Sequence, residues 1–395
     1  MILSDVCEFI VDCPHSTAPD EGKGYPLIRT PNVGKGRLDL NGVHRVSESV
    51  YKQRIQRGAP RANDLIFARE APAGNVALVQ ENQTVCLGQR TVLIRPNVQK
   101  VNPQYLVYYL LSPKPQYELL GTANGATVAH VNLPAIRNLK IELPEKSVQD
   151  KIGTILVTYD DLIENNQKQI KLLEEAAQRL YKEWFVDLRF PGHENTKIVD
   201  GVPEGWSIYP FSSKVDIMSG GTPKTSIPDY YNGKIPFYTP KDNDGAFFAY
   251  KTQMNITEGG LKNCNSRLYP PKTVIITARG TVGKTTILAV PMAMNQSCYA
   301  LKMKENDAPY YLFFALNNEI KALQTMANGG VFNTIIGKTF DSINIQIPKD
   351  PLIYGFEETV RPFMEQIKNK LQANLKLVEA RDRLLPKLMN GEVEA

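Results

Sequence analysis

The sequence predicts a mixed α/β protein built as an internal repeat. Two similar globular blocks are each followed by a long helix, and the two helices pair antiparallel about an approximate two-fold axis. Three observations predict this fold. Segments of the first half recur in the second half at shifts of 204 to 210 residues, strand-like apolar runs fill both blocks, and heptad-spaced apolar residues follow each block. A chain of 395 residues also has room for two or three separate cores.

The repeat is read from four pairs of segments. They are 25–38 with 235–248, 65–79 with 274–288, 86–112 with 293–318, and 123–144 with 327–348. In the last pair, apolar residues alternate before Pro144 and Pro348, which predicts a strand in each copy. The second pair predicts strand, tight glycine turn and strand, with Arg69 opposite Arg279 and Gly74 opposite Gly283.

The stretch "ITARGTVGKTT" (276–286) invites a different interpretation, a phosphate-binding loop. Such a loop needs a glycine six residues before the lysine, because its backbone N–H groups wrap the phosphates closely. Ala278 occupies that position before Lys284, and the repeat partner "LIFAREAPAGNVALV" has no lysine-threonine pair. We therefore expect a duplicated structural hairpin and not a site for a nucleoside triphosphate.

Two segments have a helical pattern, 147–185 and 354–389. Apolar residues recur at steps of three and four. In the first segment they are 152, 155, 159 and 162 and then, after a polar patch at Asn166 and Gln169, 170, 173, 177, 180 and 184; in the second they are 356, 360, 363, 367, 371, 374, 378, 381, 385 and 388, where 374 and 381 are polar. Each helix would span roughly 60 Å, and Pro362 should kink the second or mark a late start. The alternative is two ordinary long core helices. The predicted order is block 1–143, helix 144–190, linker and block 191–348, helix 349–395.

Charge alternates along the chain although the net charge is only +5. The two blocks carry +4 (1–143) and +5 (205–348), whereas the stretch 144–204 carries −4. Basic blocks suit a polyanion such as DNA. No apolar run approaches the ~20 residues of a membrane span and the start lacks a signal peptide, so we expect a cytoplasmic protein. Five scattered cysteines predict reduced thiols.

Several stretches together resemble one family. They are "SGGTPKTSIPDYYNGKIPFYTPKD" (219–242), "ITARGTVGKT" (276–285), "MNQSCYAL" (294–301), "IQIP" (345–348) and "RLLPKLMNGEVE" (383–394). In this order, and duplicated together with the helices, they resemble the specificity subunit of type I restriction-modification systems. The resemblance covers essentially the whole chain, but "DCPHSTAPDEGKGYPLIRTPNV" (12–33) departs from the usual Gly-Gly-Thr-Pro start.

The resemblance implies a DNA reader that is not itself an enzyme. Each block would be a target recognition domain for one half of a split, asymmetric duplex site. The helices would form a coiled coil that sets the spacing and docks two modification subunits, which methylate adenine. Restriction subunits, which translocate and cut DNA, would join them. S-adenosylmethionine, ATP and Mg²⁺ are expected on these partners and no cofactor or metal on this chain. Consistently, the sequence has no Asn-Pro-Pro-aromatic motif; the nearest stretch is Tyr269-Pro270-Pro271-Lys272.

Candidate DNA contacts are polar side chains in the repeated turns, because Arg, Lys, Asn and Gln read base edges and hold phosphates. Arg69 and Arg279 are the first candidates, and Lys284 is expected to hold a phosphate beside exposed N–H groups of the glycine turn. Gln89 and Gln296 align, so a shared structural hydrogen bond competes with a base contact. The remaining candidates are Arg90, which faces Ser297 and so differs between the blocks, and Lys35, Arg37 and Lys241, which follow the Thr-Pro turns.

Two other functions compete with this interpretation. One is a free-standing two-headed DNA-binding protein without enzymatic partners, which tight binding by the isolated chain would favour. The other is an ATPase at Lys284. The recognised bases and the spacer length do not follow from the residues, because no code links side chains to bases in this setting.

Overall fold

The computed structural model describes residues 1–121, 130–326, 335 and 337–395, and the side chains of all of these but 321–326. The described helices are α1 Glu48–Arg54, α2 Pro103–Leu111, α3 Pro113–Gly121, α4 Leu133–Arg137, α5 Lys146–Tyr181, α6 Phe211–Lys214, α7 Glu258–Lys262, α8 Pro309–Met326 and α9 Asp350–Met389. A π-helical turn, Lys182–Val186, continues α5.

The strands form two series. The strands before α5 are β1 Cys7–Asp12, β2 Tyr25–Ile28, β3 Gly36–Arg37, β4 Arg45–Val46, β5 Leu65–Ala68, β6 Val76–Leu78, β7 Cys86–Leu87 and β8 Thr91–Pro96. Those after it are β9 Ile198–Val199, β10 Val202–Pro203, β11 Ser207–Pro210, β12 Val215–Ser219, β13 Tyr231–Tyr238, β14 Phe248–Ala249, β15 Asn255–Ile256, β16 Val274–Thr277, β17 Thr285–Leu288, β18 Ala293–Met294, β19 Cys298–Met303 and β20 Asn344–Ile347.

Head 1, which contains β1 to β8, and head 2, which contains β12 to β19, have the same sheet topology, which confirms the predicted repeat. The main sheet has the order β1-β8-β5-β6-β3 in head 1 and β12-β19-β16-β17-β14 in head 2. In each, the first four strands are antiparallel neighbours and the last strand joins parallel. A smaller sheet, β4-β2-β7 or β15-β13-β18, accompanies it.

The central strand of each main sheet is covered on both of its faces. All four residues of β5 are buried, as are all four of β16. A strand that is covered on both faces reads as an unbroken apolar run. In head 1, Leu65 and Phe67 belong to a core that includes α2 and the start of α5. Ile66 and Ala68 belong to a second core on the other face, next to the smaller sheet.

The predicted strand before Pro348 is confirmed as β20, which pairs antiparallel with β11. In head 1 the corresponding stretch forms only an isolated bridge between Ile2 and Lys140. The first parts of this repeat, 123–129 and 327–334, lie outside the described residues. The predicted linker also contains a small hairpin, β9–β10, whose turn has positive φ at Asp200 and Gly201.

The chain divides into two compact units that do not follow chain order. Unit 1 is Met1–Asn165 with Asn374–Ala395, and unit 2 is Asn166–Ala373. Each unit therefore contains one head, the beginning of the helix that leaves it, and the end of the other long helix.

Within each unit the two helical segments run antiparallel. In unit 1, Leu388 shares a core with Ile152 near the start of α5, and the Asn374 side chain donates to the Ile163 carbonyl at 3.3 Å. In unit 2, the ring of Tyr181 meets that of Phe356 at a centroid distance of 5.9 Å. As the residue number rises on one helix it falls on the other, so the predicted antiparallel pairing is confirmed.

Apolar side chains at the helix ends pack inside the chain. Trp184 and Phe185 pack against Phe356 in unit 2, and Leu388 is 4% exposed in unit 1. One detail of the predicted seam was wrong, and one of the two alternatives for Pro362 is excluded. The exposed fraction of Leu162, placed in the predicted seam, is 46%, because the buried stripe passes through Asp160. Nor does Pro362 mark a late start, since α9 begins twelve residues earlier, at Asp350.

A buried polar cluster lies between the helical segments of unit 1. The Tyr108 hydroxyl donates to Asp160 Oδ2 at 2.6 Å, and Arg381 NH1 donates to Asp160 Oδ1. Burial, together with the Asp160 carboxylate, raises the pKa of Tyr108. At the repeat shifts of 206 and 204, the corresponding residues of unit 2 are apolar: Phe314, Met364 and Ala177, which all belong to one core. The same contact between helices is therefore polar in unit 1 and apolar in unit 2.

Candidate nucleic-acid interface

The hairpin after the central strand is built alike in both heads. It joins β5 to β6 in head 1 and β16 to β17 in head 2. Gly74 N–H donates to the Ala68 carbonyl and Gly283 N–H to the Thr277 carbonyl, both at 2.9 Å. The two glycines have φ of 89° and 81°, a conformation that L side chains rarely adopt. These matching bonds equate the two hairpins at a constant shift of 209 residues.

That register places Arg69 opposite Ala278, so the predicted equivalence of Arg69 and Arg279 is wrong. A second pair of backbone bonds gives the same result. Arg69 N–H donates to the Arg90 carbonyl at 2.9 Å, and Ala278 N–H donates to the Ser297 carbonyl at 2.7 Å. The dipeptides Ala68-Arg69 and Ala278-Arg279 have the same sequence, but the hydrogen bonds show that Ala278, and not Arg279, is the structural equivalent of Arg69.

Arg69 is held inside head 1. Its side chain is 11% exposed, and NH1 donates to Asp12 Oδ2 at 2.7 Å. Its Nε donates to the Val131 carbonyl at 2.9 Å, and NH2 lies 2.7 Å from Nε2 of His130. A guanidinium only donates, so this Nε2 accepts and the imidazole proton is on Nδ1. The structure therefore gives Arg69 a bracing role in place of the base contact that the sequence predicted.

Arg90 continues the same chain of contacts toward the surface. Glu70 Oε1 accepts from Nδ1 of His130 at 2.5 Å, and Glu70 Oε2 lies 2.6 Å from NH1 of Arg90. Arg90 itself is 62% exposed and has φ of 64°. The Glu70 carboxylate thus orients the guanidinium of Arg90 on one side, while the other side of the guanidinium is exposed.

Arg279 and Lys284 are exposed on the hairpin of head 2, and neither side chain has a partner among the described residues. The hairpin tip contacts the Thr-Pro turn, because Thr281 Oγ1 donates to the Pro240 carbonyl at 3.4 Å. Lys241, also exposed, follows that proline. Head 2 therefore presents cations from two adjoining loops.

The N–H groups beside Lys284 are not available to a phosphate, contrary to expectation. Gly283 N–H donates to the Thr277 carbonyl, and Lys284 N–H donates to Thr277 Oγ1 at 3.1 Å. The turn also joins two antiparallel strands, whereas a nucleotide loop leads from a strand into a helix. Only the side chain of Lys284 is offered at the surface. It lines an open groove of about 820 Å³ in unit 2 whose other walls come from α5 with the π-helical turn after it, from α8 and from the loop at 243–247.

The side chains of the two aligned glutamines both bond to the segment that follows the first strand of the main sheet, Gln89 as a donor and Gln296 as an acceptor. Gln89 Nε2 donates to the His15 carbonyl at 2.6 Å, and Gln296 Oε1 accepts from the Thr222 hydroxyl. The strand registers place His15 and Thr222 at corresponding positions after β1 and β12. Of the two alternatives left open by the sequence, the geometry favours the shared structural hydrogen bond.

The remaining candidates, in head 1, separate into one exposed and one bound cation. Lys35 is exposed and has no partner among the described side chains. Arg37 is 16% exposed, and its NH2 lies 2.5 Å from Asp161 Oδ1 while its Nε lies 4.0 Å from a carboxylate oxygen of Glu164. Because both acids belong to α5, Arg37 ties head 1 to the helix that leaves it.

Comparison with known proteins decides the family. The family model described as the type I restriction modification DNA specificity domain matches residues 1–175 and 203–373. The chain belongs to this family. The two matched stretches contain the two heads, so the family domain occurs twice, as the internal repeat predicts.

Relatives of this chain are specificity subunits of type I restriction enzymes. The type I restriction enzyme MjaIX specificity subunit of Methanocaldococcus jannaschii is 28% identical over 361 residues, which cover 89% of this chain and 82% of the relative. The HindI specificity subunit of Haemophilus influenzae is 24% identical over 401 residues, covering 85% and 87%. Specificity subunits are non-catalytic, so this chain is not an enzyme in its own right.

A solved structure shares the fold. The S subunit of a type I restriction-modification system from M. genitalium superposes with a TM-score of 0.58 at 16% identity, covering 98% of this chain and 95% of the other. No helix in the described part of the specificity subunit is long and apolar enough to span a membrane.

The cysteines of the specificity subunit are all free, as predicted. Burial raises the pKa of Cys7 to about 12, that of Cys86 to about 11 and that of Cys298 to about 12. Such thiols remain protonated near neutral pH, and the thiolate is the form that reacts or binds metal. The described residues also contain no group of three His, Cys, Asp or Glu side chains placed to hold a metal ion.

Sequence reasoning missed Glu70, Asp12 and His130, the residues that hold Arg69 and Arg90. A weak signal existed: Glu70 adjoins Arg69 in the turn, and an acid beside a predicted DNA-contacting arginine needs a reason. The long-range members carried no signal, because Asp12 and His130 are 57 and 61 residues from Arg69.

Proposed function

We propose that this chain reads an asymmetric, bipartite duplex DNA target, with one half-site for each head. The observation that carries this is that equivalent positions on a shared backbone present different side chains. Glu70 of head 1 corresponds to Arg279 of head 2, and Asn75 corresponds to Lys284. Two heads with one fold and different polar groups suit two different half-sites, since side chains at base edges determine sequence.

The exposed cations are the groups proposed to touch DNA. Arg279 and Arg90 have the planar fork that binds guanine O6 and N7 with two hydrogen bonds. Lys284, Lys241 and Lys35 are exposed point charges, suited to phosphates. Arg69, Arg37, Gln89 and Gln296 support the heads through internal contacts.

The chain is further proposed to act within an assembly. Two modification subunits would dock near the helix ends and the adjoining heads and would methylate adenine with S-adenosylmethionine. Restriction subunits with ATP and Mg²⁺ would join this core. Membership of the specificity family and the pseudo-symmetric repeat support this arrangement, because pseudo-symmetry offers two similar docking sites.

The test is a genome-wide map of N6-methyladenine in the host, with and without this gene. A split motif with a fixed gap should lose methylation on deletion and regain it on complementation. An Arg279→Ala complement should relax one position in one half of that motif, by about 1–3 kcal/mol of discrimination. If deletion changes no motif while the isolated chain binds DNA tightly and sequence-specifically, the chain acts without a methylating partner.

A further inference from the structure

The hairpin and the loop next to it each have one position at which only one of the two heads carries an arginine. Head 1 has Glu70 in the hairpin and Arg90 in the loop, and head 2 has Arg279 in the hairpin and Ser297 in the loop. The backbone bonds from Arg69 to Arg90 and from Ala278 to Ser297 align the loops, so Glu70 lies beside Arg90 just as Arg279 lies beside Ser297. In head 1 the arginine comes from the second loop of this pair. In head 2 it comes from the first, the hairpin.

We propose that Arg90 is the counterpart of Arg279 as the arginine that determines specificity, and that Glu70 is a positioning residue that aims it. This inference rests on the proposed function and adds the residue pair by which head 1 discriminates its half-site. Each head would thus place one guanidinium at the same part of its surface, but from opposite loops and therefore at a different angle to the base pairs.

The contacts around Glu70 support a positioning role. One carboxylate oxygen is held by His130 Nδ1 at 2.5 Å, and the other lies 2.6 Å from Arg90 NH1. Glu70 is 15% exposed whereas Arg90 is 62% exposed. An isolated surface ion pair fixes a long side chain weakly. Here the acid is itself fixed, because His130 is held in turn by Arg69, whose side chain is only 11% exposed.

The charge of Glu70 supplies a second argument. A carboxylate close to DNA repels phosphates, so it lowers affinity for every sequence. Its presence beside a DNA-facing arginine is explained if it restricts the directions in which the guanidinium can donate, which favours one base over the others. Head 2 has no acid at the corresponding position, since Arg279 occupies it.

The two roles of Glu70 can be separated by measurement. The specificity subunit, assembled with its modification subunit, is used to select duplexes from a library that is randomised in both half-sites. The proteins compared are the wild type, Glu70→Gln, Arg90→Lys and Arg279→Lys, with Glu81→Gln as the matched control. Glu81 is an exposed acid of head 1 with no side-chain partner among the described residues. Thermal unfolding of each variant checks that head 1 remains folded.

Arg279→Lys should relax one half-site, which identifies the half that head 2 reads. Arg90→Lys keeps the charge but loses the fork, so discrimination at one or two positions of the other half should fall about tenfold. Glu70→Gln should relax the same positions and, in contrast to Arg90→Lys, should raise affinity for unrelated DNA severalfold. Glu81→Gln should relax no position.

The inference is overturned if Arg279→Lys relaxes its half while both Arg90→Lys and Glu70→Gln leave the other half unchanged. It is also overturned if Glu70→Gln relaxes no position but only lowers the unfolding temperature. If Glu70→Gln does not fold, Arg90→Lys alone decides. Failure of the proposed function looks different: no split motif is selected by the wild type, or Arg279→Lys changes neither half.

Discussion

Replacing Asp160 by Asn should destabilise unit 1 far more than the loss of an ordinary ion pair. The Asp160 side chain is 2% exposed and that of Arg381 is 11% exposed, so both charges have left water on folding. Removing one member of such a pair leaves the other charge buried without a partner, which lowers the free energy of unfolding by about 3–5 kcal/mol. Arg381 keeps its ion pair with Asp382, whose Oδ1 lies 2.8 Å from Arg381 NH2 and whose side chain is 48% exposed. We therefore expect the lower end, about 3 kcal/mol.

A second variant tests the cause of that loss. The corresponding residues of unit 2 are apolar, so an apolar contact is compatible with this backbone. Tyr108→Phe, Asp160→Leu and Arg381→Met together remove every member of the polar cluster and keep its volume. Because no charge is then left buried without a partner, the triple variant should lie within about 1 kcal/mol of the wild type.

The assay is urea unfolding, checked by calorimetry. The midpoint of the unit 1 transition should fall for Asp160→Asn by about 6–12 °C in the thermal experiment, on the scale for a unit of this size. Glu48→Gln is the matched control, because it breaks an ion pair with Lys52 that is exposed to solvent and should leave the unfolding midpoint essentially unchanged. The reasoning is refuted if Asp160→Asn is as stable as the control, or if the triple variant is as unstable as Asp160→Asn.

Three further predictions concern single residues. Burial raises the pKa of Glu357 from its ordinary value to about 7; folding therefore favours its protonated form, and stability is lost as pH rises from 4.5 to 7. Glu357→Gln should stabilise the protein by roughly 1–3 kcal/mol at pH 8 and by almost nothing at pH 4.5 in urea unfolding, and an equal effect at both would contradict this. Lys284→Ala should weaken binding to all duplexes and lower the slope of log K against log salt by about 0.9, without changing the motif. Arg69→Ala should cost about 2–3 kcal/mol of unfolding free energy, because the largely buried Asp12 carboxylate and the Val131 carbonyl lose their donor; unchanged stability would contradict this.

The fold was predictable from the sequence to the extent that it depends on local patterns. Apolar alternation, the glycine turns and the heptad spacing each depend on neighbouring residues, and all three are repeated, so each copy supported the other. The seam was predicted less well. Leu162 follows the heptad rule yet is 46% exposed, while the polar Asp160 is buried because Arg381, 221 residues away, is there to meet it. No local pattern contains that partner.

The exposure of several candidate side chains was predictable from the sequence, and the contacts that hold the others were not. The turns that the sequence selected do hold the exposed cations Arg279, Lys284 and Arg90. Which arginine is free was decided by distant residues: Asp12 and His130 engage Arg69, and nothing described engages Arg279.

The repeat shows which parts of the heads carry the fold and which are free to vary. Backbone bonds of the hairpin and the neighbouring loop are the same in both heads, and Gln89 and Gln296 each bond to the segment that follows the first strand of the main sheet. The side chains mounted on these bonds differ in charge between the two copies, as Glu70 and Arg279 show. A scaffold that depends on its backbone bonds in this way can change its surface chemistry at little cost in stability. Two copies of such a scaffold in one chain can then diverge independently, as the proposed asymmetric target requires.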